Sequence, residues 1–246
     1  MKVGRFGWLL LLFMLLAGGS AGLPAALLDW PIRYITHGMW RLAMPQGTLW
    51  YGQAHIMFVG QGGTVLPVSR MQWAWQPARL FSGYLGWHVY SDGVPATVEW
   101  RPNQWKIDGL ALSIPFAAVS ELTPLWKGAG LSGQLDIQIN GLTYQQEQYH
   151  GTVRATLLGA TSRLTPVAPL GSYALDIAGT GKGLVLHIGT LRGDLAIDSN
   201  GTWSPGGSLS LEGEAKSTPE RYEALKPLLS MLGRPSGQTS VHWQFK

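Results

Sequence analysis

From Phe6 to Leu28 the chain carries no charge: Arg5 is the last ionised residue before the stretch and Asp29 the first after it. As a helix rising about 1.5 Å per residue it would reach about 34 Å, enough for a hydrocarbon core of about 30 Å. Lys2 and Arg5 stand in front of it, where basic residues hold an end on the cytoplasmic side. A membrane anchor at Phe6–Leu28 constrains all that follows. The remaining chain must fold on the far side of a membrane.

A cleavable signal peptide is the competing reading. It rests on the short basic start, the apolar core from Trp8 to Ala17, and Gly19 and Ala21 as small residues before a cut. The apolar run continues through Leu23, Ala25, Ala26, Leu27 and Leu28, which favours a retained anchor. Pro24 is tolerated near the end of a span. Arg33 and Arg41 beyond the run balance Lys2 and Arg5, so orientation rests on the short N-terminal tail. Both readings export the residues after about 29.

Without the anchor, the 246-residue chain has length for one domain or two small ones with a real core. It has no cysteine, which excludes a disulfide scaffold, thiolate metal sites and cysteine nucleophiles. The net charge of +4 comes from scattered residues with no Lys/Arg block, so nucleic acid is not a partner. Mild attraction to anionic lipid fits that charge better. Charged residues make up only 13%, against 33 glycines and 12 tryptophans. That balance suits extended strands, tight turns and a surface that meets a partner or lipid.

Asp29 to Met44 reads as a connection punctuated by Pro31 and Pro45, with Tyr34, Trp40 and Arg41 of the types found at a membrane interface. Trp40 packing on the sheet is the competing reading. From Gly47 the pattern has period two, the mark of half-buried strands. Strands are expected at Leu49–Phe58, Val65–Trp75, Tyr84–Tyr90, Val94–Trp100 and Trp105–Leu112. Ala78–Phe81 makes a helical turn, and Ser91-Asp92-Gly93 a hairpin. Pro115–Trp126 has one-face spacing at Phe116, Val119, Leu122 and Leu125 and is expected to be a short helix. Strands resume from Gly133 to Ile139, with a turn at Asn140-Gly141. They continue at Gly151–Leu158, Tyr173–Ile177, Gly183–Leu191, Asp194–Ser199 and Ser208–Glu214, with Asn200-Gly201 as a separator. A helix follows Ser217 or Thr218, with Tyr222, Leu225, Leu229 and Leu232 on one face, Pro227 kinking or splitting it and Gly233 closing it. Thr239–Phe245 is a last strand. Gly52 to Gly60 and Gly133 to Gly141 share a Gly-Gln opening and a central isoleucine. Pro77–Tyr84 is echoed by Pro166–Tyr173. These echoes suit a duplicated β unit, or two sheets of similar hairpins.

The residues show no catalytic, cofactor-binding or metal constellation. His55, His88 and His187 alternate within strands and read as surface residues. Gly179-Thr180-Gly181-Lys182-Gly183 lacks the first spaced glycine and the Ser/Thr of a phosphate loop and reads as a hairpin turn. Glu121, Glu147, Asp176 and Asp194 could pair only through the fold. Asn200-Gly201-Thr202 is a formal glycosylation acceptor that serves better as a turn. An enzyme is not expected.

In order along the chain stand the anchor with Leu23-Pro24-Ala25, Gly47-Thr48-Leu49-Trp50-Tyr51-Gly52-Gln53-Ala54, and Trp73-Ala74-Trp75-Gln76-Pro77 with Leu80 and Gly83. They continue with Gly130-Leu131-Ser132-Gly133-Gln134-Leu135, Pro169-Leu170-Gly171-Ser172-Tyr173, Gly193-Asp194-Leu195, Glu212-Gly213-Glu214-Ala215 and the Leu225–Gly233 helix. The set resembles the type II secretion system protein N family, with Asp194 in place of the family's usual proline. The resemblance implies a single-pass protein of the cell inner membrane with its body in the periplasm. It implies an accessory role in export of folded proteins across the outer membrane, with no catalytic residues to carry over. A more distant similarity to the AsmA-like group implies a twisted sheet with an apolar groove.

The expected fold is therefore mainly β. Residues 1–28 are tail and transmembrane anchor, 29–46 a juxtamembrane connection, and 47–246 a strongly twisted antiparallel β-sheet domain with a few short helices. Its candidate halves are 47–126 and 127–246. The first functional reading is a structural component that binds other secretion subunits through strand edges or faces. The second is a module whose sheet shelters the acyl chains of phospholipid. A closed core favours the first, and an uncovered apolar channel leading away from the anchor favours the second. Trp50, Trp73, Trp75, Trp87, Trp100 and Trp105 can also simply fill an ordinary core. This division predicts that a chain lacking residues 1–28, given a cleavable export signal, folds; circular dichroism and protease resistance check it.

Overall fold

A computed structural model describes residues 22–60, 63, 65–120, 128–205, 207 and 209–245. The apolar run from Phe6 to Ala21 lies outside the described residues, as do Glu121, Leu122 and Leu125. Among the described residues no helix is long and apolar enough to cross a membrane.

Period-two patterning builds one antiparallel sheet of fifteen strands. The first seven are β1 (Trp40–Gly47), β2 (Tyr51–Val59), β3 (Val65–Trp75), β4 (Leu85–Ser91), β5 (Val94–Arg101), β6 (Gln104–Asp108) and β7 (Leu110–Pro115). Then come β8 (Ser132–Gln145), β9 (Gln148–Thr161), β10 (Gly171–Gly179), β11 (Leu184–Gly193), β12 (Leu195–Trp203) and β13 (Ser210–Ser217). The last two are β14 (Arg234–Pro235) and β15 (Ser240–Phe245). Neighbours in sequence are neighbours in the sheet through most of the chain. The exceptions are that β6 and β7 both pair with β8, and that β15 lies between β13 and β14.

The expected single strand Trp105–Leu112 is two strands because it breaks at Gly109, where φ is +74°. A β-carbon there would stand 3.0 Å from the Pro95 carbonyl oxygen, so only glycine lets the chain turn at that spot. β6 stays between β5 and β8, while β7 follows β8 away from β5. β7 then lies against β3, β4 and β5 without pairing with them, so the sheet rolls over its own inner face. Trp40 and Val68 pack there against Ile114, Phe116 and Leu135.

The inner face is apolar and the outer face polar. On the outer face Gln138, Arg154, Asp176, His187, Asn200, Glu212 and Gln244 are successive cross-strand partners from β8 to β15. Inside the C-terminal part, helix α3 (Tyr222–Leu232) covers the sheet; α1 is Asp29–Ile35 and α2 is Ala117–Ser120. Leu225, Leu228 and Leu229 of α3 meet Leu195, Ala215 and Val241, with Val167 and Leu170 from the β9–β10 connection. Tyr173 is buried in this cluster, its hydroxyl donating to the Leu195 carbonyl at 2.9 Å, and burial pushes the phenol above its ordinary titration range. Pro227 neither splits α3 nor shortens it, because the helix runs through to Leu232 as one element.

Other expectations are corrected. Asn140-Gly141 is not a turn but an irregularity inside β8, with Gly141 at φ +59°; the turn falls at Gln146-Glu147, both at positive φ. Asn200-Gly201 lies within β12, not between strands. Residues 29–46 are not a mere connection: they form α1 and most of β1. Pro45 and Met44, at φ +48°, hide that strand from a pattern reading by placing an irregularity near its end. The similar stretches at Gly52 and Gly133 fall on β2 and β8, which run in opposite directions. Both turn the same side chains inward, Ala54 and Ile56 in one and Leu135 and Ile137 in the other.

The end of the apolar run belongs to the sheet rather than to a spanning helix. Leu49 N–H donates to the Leu23 carbonyl at 2.9 Å, Pro24 bridges to Thr48, and Ala25–Leu28 is a 3-10 turn. Ala25 is fully buried against Ala54, Trp73, Val89 and Ala96. An anchor over Phe6–Leu28 would therefore have to leave the bilayer before Leu23, and a deletion of 1–28 removes part of the core. We expect Ala25→Leu to cost about 1–3 kcal/mol by overpacking and to open residues 22–28 to proteases. Leu225→Ala should cost about 2–5 kcal/mol in urea denaturation.

Candidate functional site

The N-terminal part of the inner face is only partly covered, and an apolar hollow of about 660 Å³ remains there. Its floor is Ile56, Met71, Trp73, Trp87, Val89 and Val98 from β2 to β5; Trp40 and Leu42 of β1 form one wall. Leu28, Ile32 and Thr36 lean over it, and Leu49 and Trp50 stand beside them. The volume lies within the range of about 300–1,000 Å³ of small-ligand sites.

Each wall has a local cause. Trp73 lies flat over Gly52, where a β-carbon would stand 2.6 Å from its ring, and its indole N–H donates to the Thr48 carbonyl at 3.1 Å. Trp50 packs on Trp75 with ring centroids 4.9 Å apart. Helix α1 is fixed along β1 by two side chains: Asp29 Oδ1 accepts from Leu42 N–H at 2.7 Å, and Thr36 Oγ1 accepts from Trp40 N–H at 3.1 Å. Arg41 is the one cation lining the hollow. Its Nε is buried without a hydrogen bond, and Asp29 Oδ2 lies 3.7 Å away.

The same contacts decide what the first edge can do. The outward amides of β1 at Trp40 and Leu42 are occupied by α1, and Pro45 has no N–H to offer. Partner recognition by strand addition is therefore blocked on that part of β1. The opposite edge carries the two-residue β14 with Pro235.

The tryptophans do not fill one closed core. Trp73 is buried, whereas Trp100 is 47% exposed. Trp50, Trp75, Trp87, Trp100 and Trp105 all sit on the inner face towards the strand ends nearest Thr48. From Trp105 the row continues through Tyr144 and Tyr149 to Trp203, with centroid separations of 6.0, 5.1 and 5.5 Å. Trp40 turns inward, edge-on to Phe58 at 5.6 Å, whereas Tyr34 is 74% exposed.

The acidic candidates do not meet. Asp176 is bound by Arg154, with nitrogen–oxygen distances of 2.6 and 2.9 Å, and that hydrogen bond holds its carboxyl below the ordinary range. Asp194 lies 3.4 Å from Arg221, Glu147 is in the β8–β9 turn, and Glu121 is outside the described residues. His187 Nδ1 is 3.1 Å from Asn200 Oδ1; His88 is exposed and His55 half-buried. Among the described residues no group of His, Asp and Glu could hold a metal ion. Gly179–Gly183 is the turn between β10 and β11. Pattern reading missed Asp29, Ile32 and Thr36. The usable signal was the spacing of Leu28, Ile32 and Thr36 on one helical face and Trp30 and Tyr34 on the other.

Fold and site thus define a one-sheet β protein with an apolar inner hollow and a covered first edge. The chain belongs to the type II secretion system protein N family, whose model matches residues 39–244, and so to a component of that system. No curated protein and no solved structure matches it.

Asp29→Ala leaves the Leu42 amide without its partner. A loss of about 1–3 kcal/mol in chemical denaturation is expected. Concentration-dependent association should also appear by analytical ultracentrifugation as the edge is uncovered.

Proposed function

We propose that this protein is an accessory structural component of the type II secretion system, held in the inner membrane by the N-terminal segment that precedes Leu23, with its sheet in the periplasm. There it takes part in export of folded proteins by binding other subunits of the machine. The observation that carries the reading is the docking of Leu23–Leu28 onto the β1–β2 turn at Thr48 and Leu49, with Ala25 in the core. An anchor that ends where the core begins leaves no slack, so the sheet is held at a set distance and orientation from the bilayer. A tether of that kind suits a protein that positions partners. With the β1 edge occupied by α1, the binding surfaces are faces and strand ends rather than a bare ladder. The reading includes no catalytic role.

The hollow favours a second reading, a module that shelters one acyl chain of a phospholipid. Its apolar lining suits the chain, and the Arg41 guanidinium on its wall suits an anionic headgroup. The inner face of the C-terminal part is filled by α3, so a continuous channel along the whole sheet is not what this reading claims.

Replacing residues 1–21 with a cleavable export signal should leave a folded domain that no longer supports secretion. Full secretion by that soluble form would remove the need for an anchor. Filling the hollow with Ile56→Trp separates the two readings. If the scaffold reading holds, secretion persists and native mass spectrometry finds no phospholipid on the parent protein. If the lipid reading holds, phospholipid travels with the parent and is lost in the variant.

A further inference from the structure

The residues that follow the apolar run carry a second apolar surface, turned away from the sheet. Leu27, Trp30 and Tyr34 recur at spacings of three and four, which puts them along one side of the 3-10 turn and α1, and Leu23 precedes them in the non-helical segment that enters the turn. Their exposures rise along the stripe, from 36% at Leu23 and 48% at Leu27 to 71% at Trp30 and 74% at Tyr34; Ile35 beside them is 75% exposed. Trp30 and Tyr34 stack at 5.9 Å, so the patch is contiguous. The opposite side of the same segment is committed to the protein through Ala25, Leu28, Ile32 and Thr36. Arg33, with its side chain 52% exposed, flanks the stripe.

We propose that this stripe is a seat on the membrane–water interface, and that it lays α1 on the bilayer. The argument for a lipid surface is continuity. The uncharged run that begins at Phe6 reaches the start of the stripe at Leu23 and Leu27 without an intervening charge, and Trp30 follows directly after Asp29, so the first residues outside a bilayer are these. Tryptophan and tyrosine with a neighbouring arginine are the side chains that settle at headgroup depth, where an apolar body and a polar tip are both accommodated. A protein partner would require a facing surface at that same depth, and nothing in the segment selects one. The seat rests on the reading of the run as a retained anchor. It also sets which part of the sheet faces the membrane: the hollow lies under the other side of the same helix.

The chain has no cysteine, so single cysteines can report depth. Tyr34→Cys, Ile35→Cys, Phe81→Cys and Leu191→Cys, each in the full-length protein, carry a nitroxide in vesicles of phosphatidylethanolamine and phosphatidylglycerol. Phe81 and Leu191 are exposed apolar residues off the stripe, at 96% and 59%. Accessibility to oxygen relative to a water-soluble nickel chelate should be several-fold higher at 34 and 35 than at 191. Equal aqueous values at 34, 35 and 191 in protein that floats with the vesicles overturn the seat and leave the anchor standing. Oxygen contact at 81 but not at 34 and 35 means that the sheet stands on its strand ends, which also overturns it. Labels at 34 and 35 shielded from both reagents mean that a second copy covers the stripe, with the same result. Protein that does not float removes anchor and seat together.

Discussion

A sheet with one apolar face must cover that face, and every unusual feature of this chain serves that requirement. The C-terminal part does it with α3, which lays Leu225, Leu228 and Leu229 over β12, β13 and β15. The N-terminal part lacks such a helix and uses the sheet itself. Gly109 ends the β6 pairing with β5 and lets β7 fold across β3 to β5, and Pro24–Thr36 closes part of what remains. The hollow at Trp73, Trp87 and Ile56 is where the two coverings do not meet. At about 25 cal/mol per Å² of apolar surface, leaving it open forgoes stabilisation that burial would supply.

The second requirement of an open sheet is to finish its edges. Here one short segment meets both demands. Asp29 and Thr36 occupy the outward amides of β1 while Ile32, between them, leans over the hollow. This ties covering and edge protection to the same dozen or so residues. A change in that segment acts on both, so the chain before Asp29 and the sheet after it are not separable modules joined at Leu28.

Membership of the protein N family makes the protein a component of the type II secretion system. The convex row from Gln138 to Gln244 is conspicuously polar, with the Arg154–Asp176 pair exposed to solvent. A pair so exposed contributes little to stability, and the row is better understood as the solvated side of a one-faced sheet than as a site.

Alternation alone was enough to show a mainly β chain. Val65–Trp75 and Val94–Trp100 were legible to within a residue, because the period of two is local and each strand carries it in its own side chains. The helix over Tyr222–Leu232 was legible because its 3.6-residue period is equally local. What alternation could not reveal was where a pattern breaks without a breaker, or survives one. Asn200-Gly201 continues a strand because β11 and β13 hold it on both sides, and Gln146-Glu147 turns because the flanking ladders force it. Ala25 and Asp29 were unreadable as structural residues, since each matters through partners well beyond its own turn, Ala54 and Trp73 for one and Leu42 for the other. The order of side chains determined which residues would be strands and which face would be apolar. Only the tertiary structure decided how that face is covered, because covering is a contact between distant segments and leaves no period in the chain.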